Sequence, residues 1–292
     1  MDIHFTKMHG LGNDFVVVNA IEQPSLIGIT DDELSSLSVC LCRRRFGVGA
    51  DQLLMLFPSD AADFRMRIFN ADGSEVEMCG NGIRCLAKYI WDRHLSDRNV
   101  LEIQTLAGII KPGARDGLVR VDMGNPEFHP DRIPLYLEGL EDSKIAKEER
   151  VLDYSLDIEG ELLKISCVSM GNPHCVIVVD DVQTFPVSYY GPMLENHQLF
   201  PNRTNVEFVE VINDGEIRMR VWERGAGETM ACGTGASASA VITSVKGLTN
   251  RDVRVHLLGG DLLIEWAADG HVYMIGPAIA VFDGVIPYEL DR

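Results

Sequence analysis

Two cysteines, 153 residues apart, stand in the same local setting. Cys79 opens Cys-Gly-Asn-Gly and Cys232 opens Cys-Gly-Thr-Gly, and segments 65–82 and 218–235 align around them without a gap. In that alignment Arg65, Met66, Arg67, Glu75, Cys79, Gly80 and Gly82 each meet an identical residue. At the same offset Gln52 meets Asn205, an amide for an amide. At a slightly different one Gly12-Asn13 meets Gly171-Asn172, each ahead of a Val-rich strand. An interval of half the chain is too long for a solenoid repeat. It fits two similar domains folded face to face.

Each repeat reads strand, loop, cysteine, glycine-rich turn, helix. A cysteine at a helix start lies beside backbone N–H groups that the helix does not use, at the positive end of its dipole. Both effects lower a thiol pKa and make a thiolate available near neutral pH. The glycines let the backbone come close to a ligand, and the Gly80-Asn81 and Gly233-Thr234 amides can hold a carboxylate. Two thiols on opposite faces of an α-carbon can remove a proton from one side and return one to the other, which inverts the centre. Without a cofactor, the carbanion needs fixed donors, each worth roughly 3–4 kcal/mol. The two thiols should titrate as a coupled pair.

The other five cysteines, Cys40, Cys42, Cys85, Cys167 and Cys175, read as small buried hydrophobes. Seven cysteines with no Cys-x-x-Cys pair suit neither a secreted disulfide framework nor a structural zinc site, so no metal is expected. A reduced, cytoplasmic protein is expected. The net charge is -18, from 26 basic and 44 acidic side chains, which argues against nucleic acid or an anionic membrane as a partner. No transmembrane or secretory segment is visible.

Further polar residues gather around the repeat. His174 follows Asn172, the counterpart of Asn13, and so is placed in the cleft between the two domains. In Trp222-Glu-Arg-Gly, Glu223 can hold an ammonium group and Arg224 a carboxylate in bidentate fashion. Asn13, Gln52, Asn70, Asn172 and Asn205 each sit beside a strand, a set that suits a zwitterionic ligand with more than one charged end. The Gly-x-Gly pairs at Gly10, Gly47 and Gly225 lack the rest of a dinucleotide fingerprint, and no Walker A pattern exists.

Positioning these residues falls mainly to strands. Alternating and β-branched runs predict them at 15–19, 53–57, 64–69, 100–105, 118–123, 162–168, 175–179, 206–211, 217–222, 253–257, 262–266 and 272–275. Three helices are predicted. One runs from about Asp31 to Arg45 behind a Thr30/Glu33 capping box. One follows Cys79 with Ile83, Leu86, Ala87 and Ile90 on one face. One follows Cys232 to Val245 and ends at Gly247. The Pro-rich, charged stretch 125–150 reads as a linker with an irregular insertion.

Taken together, the Lys7–Phe15, Gly47–Gln52, Phe69–Ser74, Met78–Cys85, Gly171–His174, Arg203–Val206, Trp222–Gly225 and Ala231–Gly235 motifs resemble diaminopimelate epimerases along nearly the whole chain. That resemblance implies an α/β (α+β) fold of two pseudo-symmetric domains, each a β-barrel-like sheet around a central helix. They would cover 1–123, with a C-terminal strand at 278–292 returning to them, and 124–277. It implies interconversion of LL- and meso-diaminopimelate in lysine and cell-wall precursor synthesis, with no pyridoxal phosphate or other cofactor. Cys79 and Cys232 become the acid/base pair. Asn13, Asn70, Asn172, Asn205 and Arg224 grip the non-reacting end of the substrate, while Gln52, His174 and Glu223 lie near the reacting centre. The Gly80-Asn81 and Gly233-Thr234 backbones hold the reacting carboxylate. Diaminopimelate is the expected small-molecule partner, and a homodimer is a possible assembly that no motif specifies. The alternatives are a proline or hydroxyproline racemase of the same fold and a non-catalytic amino-acid binding protein.

Overall fold

A strand order repeated within one chain governs this molecule. The computed structural model describes residues 1–136 and 150–289. Residues 137–149, the bulk of the predicted insertion, lie outside them. In chain order the elements begin β1 (Asp2–Gly10), β2 (Asn13–Asn19), α1 (Asp31–Cys42), β3 (Gln52–Phe57), β4 (Phe64–Asn70), β5 (Glu75–Val76) and α2 (Gly80–Asp92). Then come β6 (Ile103–Thr105), β7 (Gly108–Ile110), β8 (Gly113–Arg115), β9 (Leu118–Asp122), β10 (Tyr154–Ile158), β11 (Glu161–Ser169), β12 (Pro173–Val178) and α3 (Val187–Glu195). The chain continues through β13 (Asn205–Asn213), β14 (Glu216–Glu223), β15 (Gly227–Thr229), α4 (Gly233–Val245), β16 (Asp252–Leu257), β17 (Gly260–Trp266), β18 (Val272–Gly276) and β19 (Ile279–Pro287). Two compact units result, one of residues 1–122 with 275–292 and the other of residues 123–274.

In the first unit the strands run β19-β1-β2-β3-β4-β6-β7, with β5 beside β4. In the second they run β10-β11-β12-β13-β14-β16-β17, with β15 beside β14. The directions match pair by pair. β2 and β3 are parallel, as are β12 and β13; β4 and β6 are parallel, as are β14 and β16; the other pairs along both paths are antiparallel. C-terminal strand β19 therefore fills beside β1 the place that β10 fills beside β11.

In each unit the helix that follows the cysteine packs on several strands. α2 meets β1, β2, β3, β9 and β19, while α4 meets β11, β12, β13, β14, β16 and β17. Because α4 is contacted from so many strands, it is buried nearly all round, and its run of Ala and Ser lets them come close. The buried hydroxyls turn back onto the helix, Ser237 Oγ to Gly233 O and Thr243 Oγ1 to Ser239 O, both at 2.9 Å. α1 opens on the predicted capping box, worth about 1 kcal/mol, with Thr30 and Glu33 bonding reciprocally. It packs Leu34, Leu37 and Leu41 against Val16, Leu53 and Phe69.

Several elements depart from the sequence expectation. β1 and β10 were not predicted, and the strand expected from residue 100 begins only at Ile103. α3 was missed altogether. It carries Gly191 and Pro192, both poor helix residues; at 191 a side chain would collide with the Trp222 ring, 2.6 Å away. No helix among the described residues is long and apolar enough to cross a membrane.

Candidate active site

Strand direction collects the amides. β2 and β3 run parallel and β4 returns between turns, so Asn13 and Gln52, which open their strands, and Asn70, which closes its own, come to one end of the first sheet. Gln52 Nε2 donates to Asn70 Oδ1 at 2.9 Å, and Asn70 Nδ2 donates to Ser74 Oγ at 3.0 Å. Asn13 emerges from a two-residue turn in which Leu11 and Gly12 both have positive φ, 57° and 88°, as a hairpin of matching twist needs. Its Nδ2 donates to Asp51 Oδ2 at 2.9 Å. Asp51 belongs to a cluster with Lys7, Asp14 and Arg44. Burial alone would raise the Asp14 carboxyl, but Arg44 and Lys7 outweigh it and hold it at about 2.

Cys79 is the N-cap of α2. Its Sγ accepts from Gly82 N at 3.4 Å and faces Asn13 Oδ1 at 3.8 Å, and Asn81 Nδ2 donates to that same oxygen at 3.3 Å. The first helical bond is Ile83 N to Cys79 O, 2.9 Å, so the Gly80 and Asn81 N–H groups lie ahead of the helix ladder.

The second unit repeats the plan with different chemistry. Asn205 opens β13 beside β12, and Glu223 closes β14. Asn205 Nδ2 donates to Pro173 O and its Oδ1 accepts from Arg224 N, both at 3.0 Å, fixing the turn that carries Glu223 and Arg224. The Arg224 guanidinium reaches Asn202 O, and Glu223 Oε1 accepts from the Thr229 hydroxyl. Cys232 caps α4. Its Sγ lies 3.4 Å from Thr234 Oγ1, which accepts from Asn172 Nδ2 at 3.3 Å. Asn172 Oδ1 lies 2.9 Å from His174 Nε2. Ala236 N closes the first helical bond on Cys232 O at 2.9 Å, leaving Gly233 and Thr234 ahead of the ladder.

One electrostatic expectation is corrected here. The helix start was expected to lower the thiol pKa. Burial instead pushes Cys232 well above the usual thiol value, and the nearby Glu223 and Glu207 carboxylates push the same way. The Thr234 hydroxyl and Gly235 N–H act in the opposite direction without prevailing.

The first unit thus brings Cys79, Asn13 and Asn81 together and joins Gln52 to Asn70. The second joins Cys232, Thr234, Asn172 and His174 in one chain, and Asn205 to Arg224. Sequence reasoning missed two buried acids. Glu195, on α3, accepts from Trp222 Nε1 and Gly225 N, both at 2.8 Å, and so anchors the Trp-Glu-Arg-Gly turn. Glu207, on β13, lies 2.7 Å from His174 Nδ1, both side chains fully buried. A signal for Glu207 existed: the offset that pairs Gln52 with Asn205 pairs Leu54 with Glu207, a charge at an inward register of an apolar strand.

The diaminopimelate epimerase family model matches residues 5–129 and 166–281. The chain belongs to the diaminopimelate epimerase family. Within it, the chain is 53% identical over 293 residues to the diaminopimelate epimerase of Moorella thermoacetica, covering 98% of this chain and all of that one. Among solved structures, a Bacillus anthracis phenazine biosynthesis protein of the PhzF family shares the fold at a TM-score of 0.71 and 18% identity, covering 99% of this chain and all of that one. An Agrobacterium vitis hydroxyproline epimerase with bound trans-4-hydroxy-L-proline does so at 0.65 and 15%, covering 98% and 92%. The mixed α/β class and the pair of sheet-rich units expected of the family are those found.

Proposed function

We propose that this chain interconverts LL- and meso-diaminopimelate, with Cys79 and Cys232 as the two acid/base groups. The observation that carries the reading is the duplicated thiol setting: each unit caps one central helix with a cysteine followed by a Gly-x-Gly first turn. A carboxylate bound to the amides of such a turn is stabilised as charge builds on it during α-proton loss. Burial favours the protonated form of Cys232, which suits it to return a proton when Cys79 starts as the thiolate. In the reverse direction the roles exchange, and the pair titrates jointly.

The amide sets supply recognition. Gln52 Oε1 is buried without a hydrogen-bond partner among the described residues and can accept from an ammonium group. Asn13, Asn70, Asn172, Asn205 and Arg224 provide donors and acceptors for the second amino-acid end of diaminopimelate. A proline-type substrate has no such end.

Incubation in heavy water without added cofactor tests this. At early turnover the product isomer should carry one α-deuterium while recovered substrate carries none, because each thiol holds one proton and serves one face. Equal early labelling of substrate and product, or turnover of trans-4-hydroxy-L-proline in preference to diaminopimelate, contradicts the reading.

A further inference from the structure

A hydrogen-bonded line of side chains runs from a buried carboxylate to one thiol inside the second unit. Its links are Glu207 Oε1 to His174 Nδ1 at 2.7 Å, His174 Nε2 to Asn172 Oδ1 at 2.9 Å, Asn172 Nδ2 to Thr234 Oγ1 at 3.3 Å, and Thr234 Oγ1 to Cys232 Sγ at 3.4 Å. The placement of hydrogens gives the line a direction. Asn172 Oδ1 is an acceptor, so His174 Nε2 carries a hydrogen. Asn172 Nδ2 donates to Thr234 Oγ1, so the Thr234 hydroxyl hydrogen is left for Cys232 Sγ.

With Nε2 protonated, His174 Nδ1 has two options against Glu207. Either a protonated Glu207 donates to a neutral imidazole, or a carboxylate accepts from an imidazolium. Both give the pair a net charge of zero, and both fix the hydrogen on Nε2. Burial raises the Glu207 carboxyl above its ordinary value, and the His174 ring beside it acts in the opposite direction. Without Glu207, a neutral His174 could place its hydrogen on Nδ1, and Nε2 would then face Asn172 Oδ1 as acceptor against acceptor.

Nothing in the packing demands an acid at this position. The aligned residue of the first unit is Leu54, which touches the start of α2 as Glu207 touches the start of α4: a Cβ built on Gly82 would meet Leu54 Cδ2, and one built on Gly235 would meet Glu207 Oε1. Glu207 Oε2 is buried without a partner among the described residues. A buried, unpaired atom of this kind costs stability, which an aliphatic side chain would avoid.

We infer that Glu207 is a positioning residue of the epimerisation: it locks His174 in the Nε2–H form, and through Asn172 and Thr234 it aims a hydroxyl hydrogen at Cys232. The inference rests on the reading of Cys232 as an acid/base group. Thr234 stabilises the thiolate that Cys232 becomes after giving up its proton, so the line acts on turnover more than on binding.

The test pairs kinetics with spectroscopy on the full-length protein. Glu207→Leu, which copies the first unit's own Leu54, should lower kcat at least about tenfold with KM changed by less than about threefold, the pattern of a lost transition-state interaction. In Glu207→Gln the amide can donate to Nδ1 and keep the hydrogen on Nε2, so kcat should recover to within about threefold of wild type. Imidazole nitrogen-15 shifts of His174 in the unsubstituted protein should show Nε2 protonated. Nε2 found unprotonated would overturn the inference whatever the variants do, as would a folded Glu207→Leu protein with wild-type kcat. Cys232→Ala, assayed alongside, keeps the two claims apart: if it retains turnover, the reading of Cys232 fails; if it is inactive while Glu207→Leu is normal, the positioning role alone fails.

Discussion

Arg67 donates its Nε–H to Glu75 Oε1 at 2.7 Å, and a second bond at 2.8 Å makes the contact bidentate across the turn that leads to Cys79. Arg220 makes the same Nε–Oε1 bond to Glu228 at 2.7 Å, across the turn that leads to Cys232. These are the residues that the internal alignment found identical. In both units the pair ties a long strand, β4 or β14, to the short strand just before the thiol, and so sets where the helix cap begins.

Replacing Glu75 or Glu228 with Ala should therefore disturb activity more than stability. Partly exposed ion pairs contribute on the order of 1 kcal/mol or less. A small misplacement of a catalytic thiol can cost about a hundredfold in rate. Urea unfolding and steady-state kinetics on each variant check this. A variant that loses stability and activity in proportion, or neither, would contradict the positioning role of the clamp.

Gly235→Ala should be worse tolerated than Gly82→Ala. A Cβ at 235 would stand 2.7 Å from Glu207 Oε1, whereas one at 82 would stand 3.2 Å from Leu54 Cδ2. Because Glu207 is held by His174, it cannot yield without breaking that bond. Overpacking of this kind costs about 1–3 kcal/mol. Thermal melts of the two variants should rank G82A above G235A, and equal melts would contradict the contact.

At low pH, stability should fall through the Asp14 cluster. The folded carboxyl is held at about 2, below its ordinary 3.8, so its contribution is present above pH 4 and is lost as pH falls towards 2. Asp14→Asn should lower stability at neutral pH and flatten the profile between pH 4 and 2. An unchanged acid profile in that variant would show that the cluster does not govern it.

At high pH the sign reverses. Burial raises the Cys42 thiol to about 11 and the Cys85 thiol to about 12, from an ordinary 9. Their stabilising contribution is complete below pH 9 and is lost as pH rises through 11 and 12, because only the unfolded chain ionises freely. Melts between pH 8 and 12 should decline, and Cys85→Ala should flatten that decline from a lower starting stability.

The repeat made much of this legible in the sequence. Identical Arg, Glu, Cys and Gly residues at one offset located both helix caps, and the apolar face from Ile83 to Ile90 located α2. Other parts were hidden for physical reasons. α3 contains Gly191 and Pro192, which local propensity counts against a helix, and the Trp222 ring that requires Gly191 is brought there only by the fold. β1 mixes charges into its alternation and buries Phe5 and Thr6 in succession, which breaks a period of two. Glu207 reads as a surface charge until the sheet turns it inward. The raised Cys232 thiol was invisible because helix-end electrostatics can be read from a motif, while burial can be read only from the fold.

The central claim is that one epimerisation needs both thiols. Cys79→Ala and Cys232→Ala, each with circular dichroism matching wild type, should both lose about a thousandfold or more in kcat, starting from either LL- or meso-diaminopimelate. Turnover within tenfold of wild type in either variant, from either isomer, would contradict it.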